Sequence, residues 1–160
     1  MREATPAAVT EALVETMPYL PGGKDKAAML DDAMRAKLLA AMPGLKERAK
    51  TLVELLDGAG YLFAVRPLAT DEKAAAVLDN GGRDHLRQLQ PRLSGLAEWS
   101  AQSTEGAVRA YAEEAGLKLG QMAQPLRAAL TGRTTSPGIF DVLDVLGREE
   151  SLGRIADAIG

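Results

Sequence analysis

The stretch LKLGQMAQPLRAALTGRTTSPGIFDVLDVLG, residues 117–147, carries the most specific local signals in the sequence. Its first half repeats apolar residues at the spacing of one helical face, which predicts a helix that buries one side. These residues are Leu119, Met122, Ala123, Leu126 and Leu130. Gly132 should end this helix, because glycine adopts the left-handed cap conformation without steric cost.

A second helix is predicted directly after this turn. Ser136 can cap free backbone N–H groups, and Pro137 suits the first helical position because its missing N–H would have no partner there. An apolar face follows, and Gly147 should end the helix. The face consists of Ile139, Val142, Leu143 and Leu146. The stretch therefore predicts two helices that are joined by a short loop.

The charge of this stretch differs from that of the whole chain. The 160 residues have a formal net charge of −3, yet no acidic residue occurs between positions 115 and 140. The only charged residues in that window are Lys118, Arg127 and Arg133. A basic window beside a helix N-terminus at Ser136 can attract an anion such as phosphate. The alternative is a helix pair whose exposed residues happen to be basic, and physical chemistry alone favours that alternative.

Helical spacing also dominates the remaining chain. Pro43-Gly44 should end a helix that begins at Asp25, and Pro91 should kink or break a later helix of residues 82–96. The apolar run at 61–65 is too short to be assigned from its periodicity. No alternating strand pattern is found. The predicted fold class is therefore all-α, a helical domain built from two small subdomains, residues 1–69 and 70–160.

Composition sets further limits on the chain. With 46% hydrophobic but only 4% aromatic residues, the core must consist mainly of Leu, Ala, Val and Met. The absence of cysteine excludes disulfides and thiolate metal sites and fits a reducing cytoplasm. Neither a signal-peptide core nor an apolar run of roughly 20 residues occurs, so we expect a cytoplasmic protein without membrane contact.

The sequence offers little for catalysis or metal binding. The lone histidine, His85, cannot form a multi-histidine metal site. A phosphotransfer histidine is an alternative, but a solvated histidine on a helix is the favoured interpretation. No glycine-rich phosphate loop occurs. We therefore assign no catalytic residue and no metal ligand.

Four segments along the opening stretch carry a resemblance to a known family. They are 118–121 (KLGQ), 124–127 (QPLR), 129–132 (ALTG) and 136–140 (SPGIF). They resemble the C-terminal segment of bacterial glutamyl-tRNA synthetases, which are class I aminoacyl-tRNA synthetases. Upstream, 48–52 (RAKTL) followed by 61–63 (YLF) resembles the start of that family's anticodon-binding region. The resemblance covers about the whole chain and is strong over residues 117–152.

The resemblance implies that a few residues contact the anticodon of a tRNA. By position these are Arg48, Arg127, Ser136, Pro137 and Ile139. Proteins contact single-stranded bases by stacking and by hydrogen bonds to base edges, and arginine offers a planar fork of donors for such bonds. Serine replaces a threonine of the family pattern at 136, which keeps the hydroxyl. The alternative roles are a helix-surface arginine for Arg48 and a core residue for Ile139.

For two cations of the acid-free window the resemblance implies no contact with a nucleobase. We predict that Lys118 and Arg133 contact phosphates of the tRNA backbone, which would make binding depend on salt. Loss of such a contact would weaken the binding of all tRNAs to a similar extent.

The resemblance also implies partners and an absence. The family's catalytic domain, a Rossmann-type fold that uses ATP and Mg, carries a His-rich and a Lys-Ser signature, and neither occurs here. This chain should therefore need no cofactor and be inactive alone as a ligase. The expected partners of this monomer are tRNA(Glu), with tRNA(Gln) as the alternative, and the catalytic domain of the same enzyme. The rival interpretation, which the net acidity favours, is a freestanding helical protein-interaction module that has lost tRNA binding.

Overall fold

The computed structural model describes residues 4–160, and these fold into helices and connecting segments without any β-strand. The predicted all-α class is therefore confirmed. Two compact units form, the first ending at Ala64 and the second comprising Val65–Gly160. A division into functional subdomains at 69/70 stays a prediction. Over the same residues, no helix is both long and apolar enough to cross a bilayer.

The first unit is an assembly of short helices around a Leu/Met core. Its helices are α1 (Pro6–Thr16), α2 (Gly23–Ala28), α3 (Asp32–Arg48), α4 (Leu52–Gly58) and α5 (Gly60–Phe63). The Thr5 hydroxyl caps α1 by accepting the Ala8 N–H at 3.1 Å, as the Thr-Pro pair indicates. The largest fully buried side chains of this unit are Leu13, Met17, Leu38, Met42, Leu55 and Leu56.

Pro43 does not end a helix, so that prediction is wrong. The predicted helix is instead interrupted before Asp32, where the Asp31 carboxylate caps α3 by accepting the Met34 N–H at 2.7 Å. A proline inside a helix costs about 3 kcal/mol. Met42 and Leu45 flank Pro43 and are fully or almost fully buried, and each contributes roughly 1.5–3 kcal/mol by burial. Core packing therefore outweighs the proline.

In the second unit the last two helices of the chain pack against each other. Its helices are α6 (Glu72–Val77), α7 (Arg83–Ser94), α8 (Ala101–Ala115), α9 (Leu119–Thr131) and α10 (Ile139–Ile159). A wide turn, Leu78–Gly82, joins α6 to α7, and α10 packs on α7, α8 and α9. The fully buried core includes Leu86, Leu89, Leu93, Met122, Leu126 and Leu130.

Most helix ends in this unit follow the predicted chemistry. Gly132 adopts a φ of 74° at the end of α9, which confirms the predicted stop, and Gly116 ends α8 in the same way with a φ of 71°. Pro91 lies inside α7 and does not break it, and the helix ends one turn later at Ser94. Gly147 adopts the non-helical values φ 83° and ψ 168°, so a kink divides α10 into two helical halves at the residue where a helix end was predicted.

The predicted solvated state of His85 is wrong. Its ring is half-buried, with Nδ1 2.8 Å from the Tyr111 hydroxyl and an edge-to-face contact between the two rings. The Arg92 guanidinium lies over the same tyrosine, 5.3 Å from the ring centroid, and pairs with Glu114. His85 thus belongs to a polar and aromatic cluster between α7 and α8.

Candidate nucleic-acid interface

Arg127 lies on the last full turn of α9, beside the buried face of that helix. The side chain is half-buried, because its neighbours on the helix, Leu126 and Leu130, face the core. Its Nε donates a hydrogen bond of 2.8 Å to the Ser136 hydroxyl, and its Nη1 lies 3.5 Å from the Gln124 carboxamide oxygen. The guanidinium plane is therefore held at the junction between α9 and the following loop.

The loop of residues 132–138 is fixed where it leaves α9. Gly132 accepts the Asp71 N–H through its carbonyl at 2.9 Å, and a Cβ at Gly132 would overlap the Ala69 carbonyl oxygen. The Thr131 hydroxyl donates to the Arg127 carbonyl at 2.8 Å, and the Arg133 N–H donates to that hydroxyl at 3.2 Å. These bonds give the loop a defined start and bring Ser136 back to Arg127.

Ser136 does not cap a helix, so its predicted capping role is wrong. Helix α10 begins at Ile139 with Gly138 as its N-cap residue, and no side chain caps it. The Ser136 hydroxyl accepts from Arg127 and donates to the Pro137 carbonyl at 2.7 Å. A charged donor makes a stronger hydrogen bond than a neutral backbone N–H, which accounts for this alternative use of the hydroxyl.

Pro137, near the end of this loop, and Ile139, the first residue of α10, are turned away from solvent. Both are buried, and only 4% of the Ile139 surface is exposed. In this structure Ile139 packs as a core residue, which is the alternative that the sequence left open. Contact of Ile139 or Pro137 with an unstacked base stays a prediction, and such contact would require the start of α10 to move.

Arg48 belongs to the first unit, whereas the other predicted base contacts share the second. It is the exposed last residue of α3. The next helix, α4, begins after a break, where the Thr51 hydroxyl accepts the Glu54 N–H at 3.1 Å. A cation at a helix C-terminus also stabilises the helix dipole, so Arg48 has a structural role available beside any contact with a base.

The two predicted phosphate contacts flank α9 and are exposed. Lys118 precedes the helix, and its backbone N–H donates to the Gln121 carboxamide oxygen at 2.8 Å. A cation at this end opposes the helix dipole, so the Lys118 charge does not stabilise α9. Arg133 directly follows the Gly132 cap. Together they extend the positive charge of Arg127 along one helix and its loop.

Two further residues belong to this arrangement that the sequence analysis did not select. Gln124 precedes Arg127 by three residues and Thr131 follows it by four, which are the spacings of neighbours on a helix surface. Those spacings could have indicated both contacts. The anchor of Gly132 on Asp71 leaves no such signal, because the two residues lie far apart in the sequence.

The geometry offers an oriented guanidinium, and proteins that bind single-stranded RNA stack bases on such planes and bond to base edges. The chain belongs to the anticodon-binding domain family, whose model matches residues 10–159. Over all 160 residues it is 62% identical to the C-terminal region of glutamate–tRNA ligase 1 of Brucella melitensis and to glutamate–tRNA ligase 2 of Brucella ovis. It spans 34% of the length of each of these relatives.

Two solved structures have the same fold. A glutamate tRNA ligase from Elizabethkingia meningosepticum superposes with a TM-score of 0.77 at 24% identity, and a glutamate-tRNA synthetase from Elizabethkingia anophelis with 0.72 at 25%. Each match covers 98% of this chain and 29% of the other. The arrangement of helices is thus that of a segment within a larger enzyme in both neighbours.

Proposed function

We propose that this chain binds the anticodon arm of glutamate tRNA as the anticodon-binding part of a glutamate–tRNA ligase. The observation that carries the proposal is the Arg127 guanidinium, held by Ser136 beside an acid-free loop in a chain of this family. Glutamine tRNA is the alternative substrate. The domain acts in the cytoplasm, together with a catalytic domain of the same enzyme that holds ATP and Mg.

The bond to Ser136 prepares Arg127 for its contact with a base. A guanidinium presents several N–H donors in one plane, and the hydrogen bond between Nε and Ser136 fixes the orientation of that plane. A half-buried, oriented side chain loses little conformational entropy when it binds, which favours affinity. Arg48 is exposed, so its ordering costs more on binding. Arg127 should therefore contribute the larger share of base discrimination.

Lys118 and Arg133 supply a contribution that does not depend on sequence. Both are exposed at the two ends of α9, and residues 115–140 contain no carboxylate to repel a phosphate backbone. Contacts of this kind position the RNA, while base contacts determine which RNA is bound. The division of roles separates Lys118 and Arg133 from Arg127 and Arg48 in any binding experiment.

The proposal is tested by titrating the 160-residue chain with fluorescently labelled glutamate tRNA, an anticodon-substituted copy and an unrelated tRNA. We expect Arg127→Ala and Arg48→Ala each to weaken glutamate tRNA binding by about 1–3 kcal/mol, the range of a good bidentate base contact. The loss should shrink on the anticodon-substituted tRNA. Each variant must melt like the parent. Losses equal on all three tRNAs for both arginines would rule out base recognition by them.

The absence of any preference for glutamate tRNA in the parent would instead favour the rival, a helical protein-interaction module. The same preparation should also show no glutamate-dependent exchange between ATP and pyrophosphate, because the signatures of the catalytic domain do not occur in this sequence. Exchange above background in a clean preparation would contradict that expectation.

A further inference from the structure

One arginine of the second unit is buried without belonging to the predicted interface. Only 2% of Arg154, on α10, is exposed. Its Nη1 donates to the Leu130 carbonyl at 2.7 Å and its Nε to the Glu150 carboxylate at 3.1 Å. Burial of a charge is costly, and an apolar side chain of similar size often packs as well or better. Packing alone therefore does not explain an arginine here.

The acceptor of Arg154 is located at the end of α9. The last four carbonyls of a helix lack intrahelical partners, and Leu130 is the residue before the final one of α9. Arg154 supplies a donor to this carbonyl, and its positive charge lies at the negative end of the helix dipole. This bond fixes the last turn of α9 to the second half of α10.

The same turn of α9 carries Arg127. Leu130 follows Arg127 by three residues, and the loop that returns Ser136 to Arg127 begins two residues after Leu130. A shift of this turn would move both partners of the bond between Arg127 and Ser136. We propose that Arg154 is a positioning residue, which fixes the end of α9 and thereby the orientation of the Arg127 guanidinium. Its consequence for tRNA selection rests on the proposed function.

A measurement without tRNA tests the positioning itself. The hydrogen-exchange rate of the Arg127 Nε–H is followed by NMR in the full chain, for Arg154→Met and for Arg148→Met. Arg148 is a matched control on the same helix, because it donates to the Ser94 and Leu96 carbonyls at 3.2 and 2.6 Å instead of to α9. We expect exchange at Arg127 to rise about tenfold in Arg154→Met, which corresponds to about 1.4 kcal/mol, and to stay at the parent's rate in Arg148→Met. An unchanged rate in folded Arg154→Met would overturn the proposal.

A second measurement uses glutamate tRNA and its anticodon-substituted copy. Arg154→Met should reduce the affinity ratio between the two tRNAs, and should reduce it no further in an Arg127→Ala background, because residues of one network are not additive. Full additivity would contradict positioning. If Arg127→Ala itself leaves the ratio unchanged, the proposed function fails, while the exchange rate still decides the role of Arg154.

Glu150→Gln replaces Arg154→Met if the latter does not melt cooperatively. It weakens the orientation of Arg154 without removing the buried side chain, whereas Glu105→Gln alters a similarly spaced pair, Arg109 and Glu105, on α8. We expect faster exchange at the Arg127 Nε–H in Glu150→Gln than in Glu105→Gln. Equal rates in the two variants would overturn the proposal.

Discussion

The hydroxyl of Ser136 links the backbone of a loop to a charged side chain, and its removal has a defined cost. We expect Ser136→Ala to lower the free energy of unfolding by about 1 kcal/mol, because a half-buried bond to a charged donor is lost. Denaturant melts measure this change. Loss of a helix cap does not contribute to this cost, because Gly138 and not Ser136 is the N-cap residue of α10.

A double-mutant cycle separates the two explanations of Ser136. In an Arg127→Ala background the stability cost of Ser136→Ala should be smaller, because the charged donor to the hydroxyl is already absent and only the bond to the Pro137 carbonyl remains to be lost. A lost helix cap would cost the same in both backgrounds. An unchanged cost in the Arg127→Ala background would therefore restore the capping interpretation and remove Ser136 from the interface.

A second residue-scale prediction concerns acid sensitivity. The Arg66 guanidinium donates to Asp157 at 2.8 Å, and this hydrogen bond holds the pKa of the Asp157 carboxyl below its ordinary value. The pair therefore stabilises the fold at neutral pH, and this stabilisation is lost as pH falls below about 4 toward the lowered pKa. Asp157→Asn should melt below the parent at pH 7, and the difference should shrink in acid.

Salt and a matched variant control the acid experiment. Both side chains of the Arg66 and Asp157 pair are partly exposed, so added salt should also narrow the difference between parent and variant. Asp84→Asn removes a more exposed partner of Arg87 and should change the melting temperature less. A difference between parent and Asp157→Asn that persists undiminished at pH 2 would show that the ion pair is not its cause.

At the scale of helices, local chemistry in the sequence was sufficient wherever one residue decides the backbone. Gly132 acts within one turn and ends α9 as expected, and Gly116 and the Asp71 cap act over the same short range at α8 and α6. Pro43 failed as a stop signal because its cost of about 3 kcal/mol competes with core burial, which depends on partners elsewhere in the chain. Helix existence was thus predictable, and the division of the first unit into α2, α3 and α4 was not.

Gly132 has two reasons to be glycine, and a matched pair of variants separates them. Gly132 and Gly116 share a positive φ, but only at Gly132 would a Cβ overlap a neighbour, the Ala69 carbonyl. We expect Gly116→Ala to cost about 1–2 kcal/mol from backbone strain alone. Gly132→Ala should cost about 1–3 kcal/mol more, because the loop must move away from Ala69. Denaturant melts of the two variants give the difference.

The same pair of variants also bears on the interface. Displacement of Gly132 would disturb the bond between its carbonyl and the Asp71 N–H, and with it the start of the loop. Equal costs for Gly132→Ala and Gly116→Ala would mean that the anchor at residues 69–71 is not tight. The loop would then need another explanation for its defined shape.

The interface was only partly predictable, because its supporting contacts are not local. Arg127 and Ser136 were selected through the family resemblance, and no spacing rule joins them. The predicted apolar face of residues 139–146 is buried, yet the second half of α10 also buries Ser151 and Arg154 beside Ile155. A buried arginine cannot be recognised without its acceptor, here the Leu130 carbonyl on another helix. Such pairs become visible only in three dimensions.

At the scale of the whole molecule, the distribution of charge matters more than its sum. The net charge of −3 gives no general attraction to nucleic acid, so any binding of tRNA depends on the acid-free window of 115–140. The carboxylates lie outside that window, and several are paired with arginines, as Asp157 is with Arg66 and Glu114 with Arg92. The residues of α9 and of the loop after it therefore carry only positive charges in an acidic chain.

Salt dependence tests this view of the surface. If Lys118 contacts a phosphate, Lys118→Gln should weaken binding of glutamate tRNA and of an unrelated tRNA equally, and it should lower the slope of log K against log salt by about one. Lys73→Gln on α6 is the matched control, because Lys73 is also exposed but lies outside the acid-free window. The control should leave the slope unchanged, even though both variants alter the net charge by the same amount. Equal slopes for Lys118→Gln and Lys73→Gln would show that the tRNA responds to the total charge and not to the window, and the phosphate contact at Lys118 would be refuted.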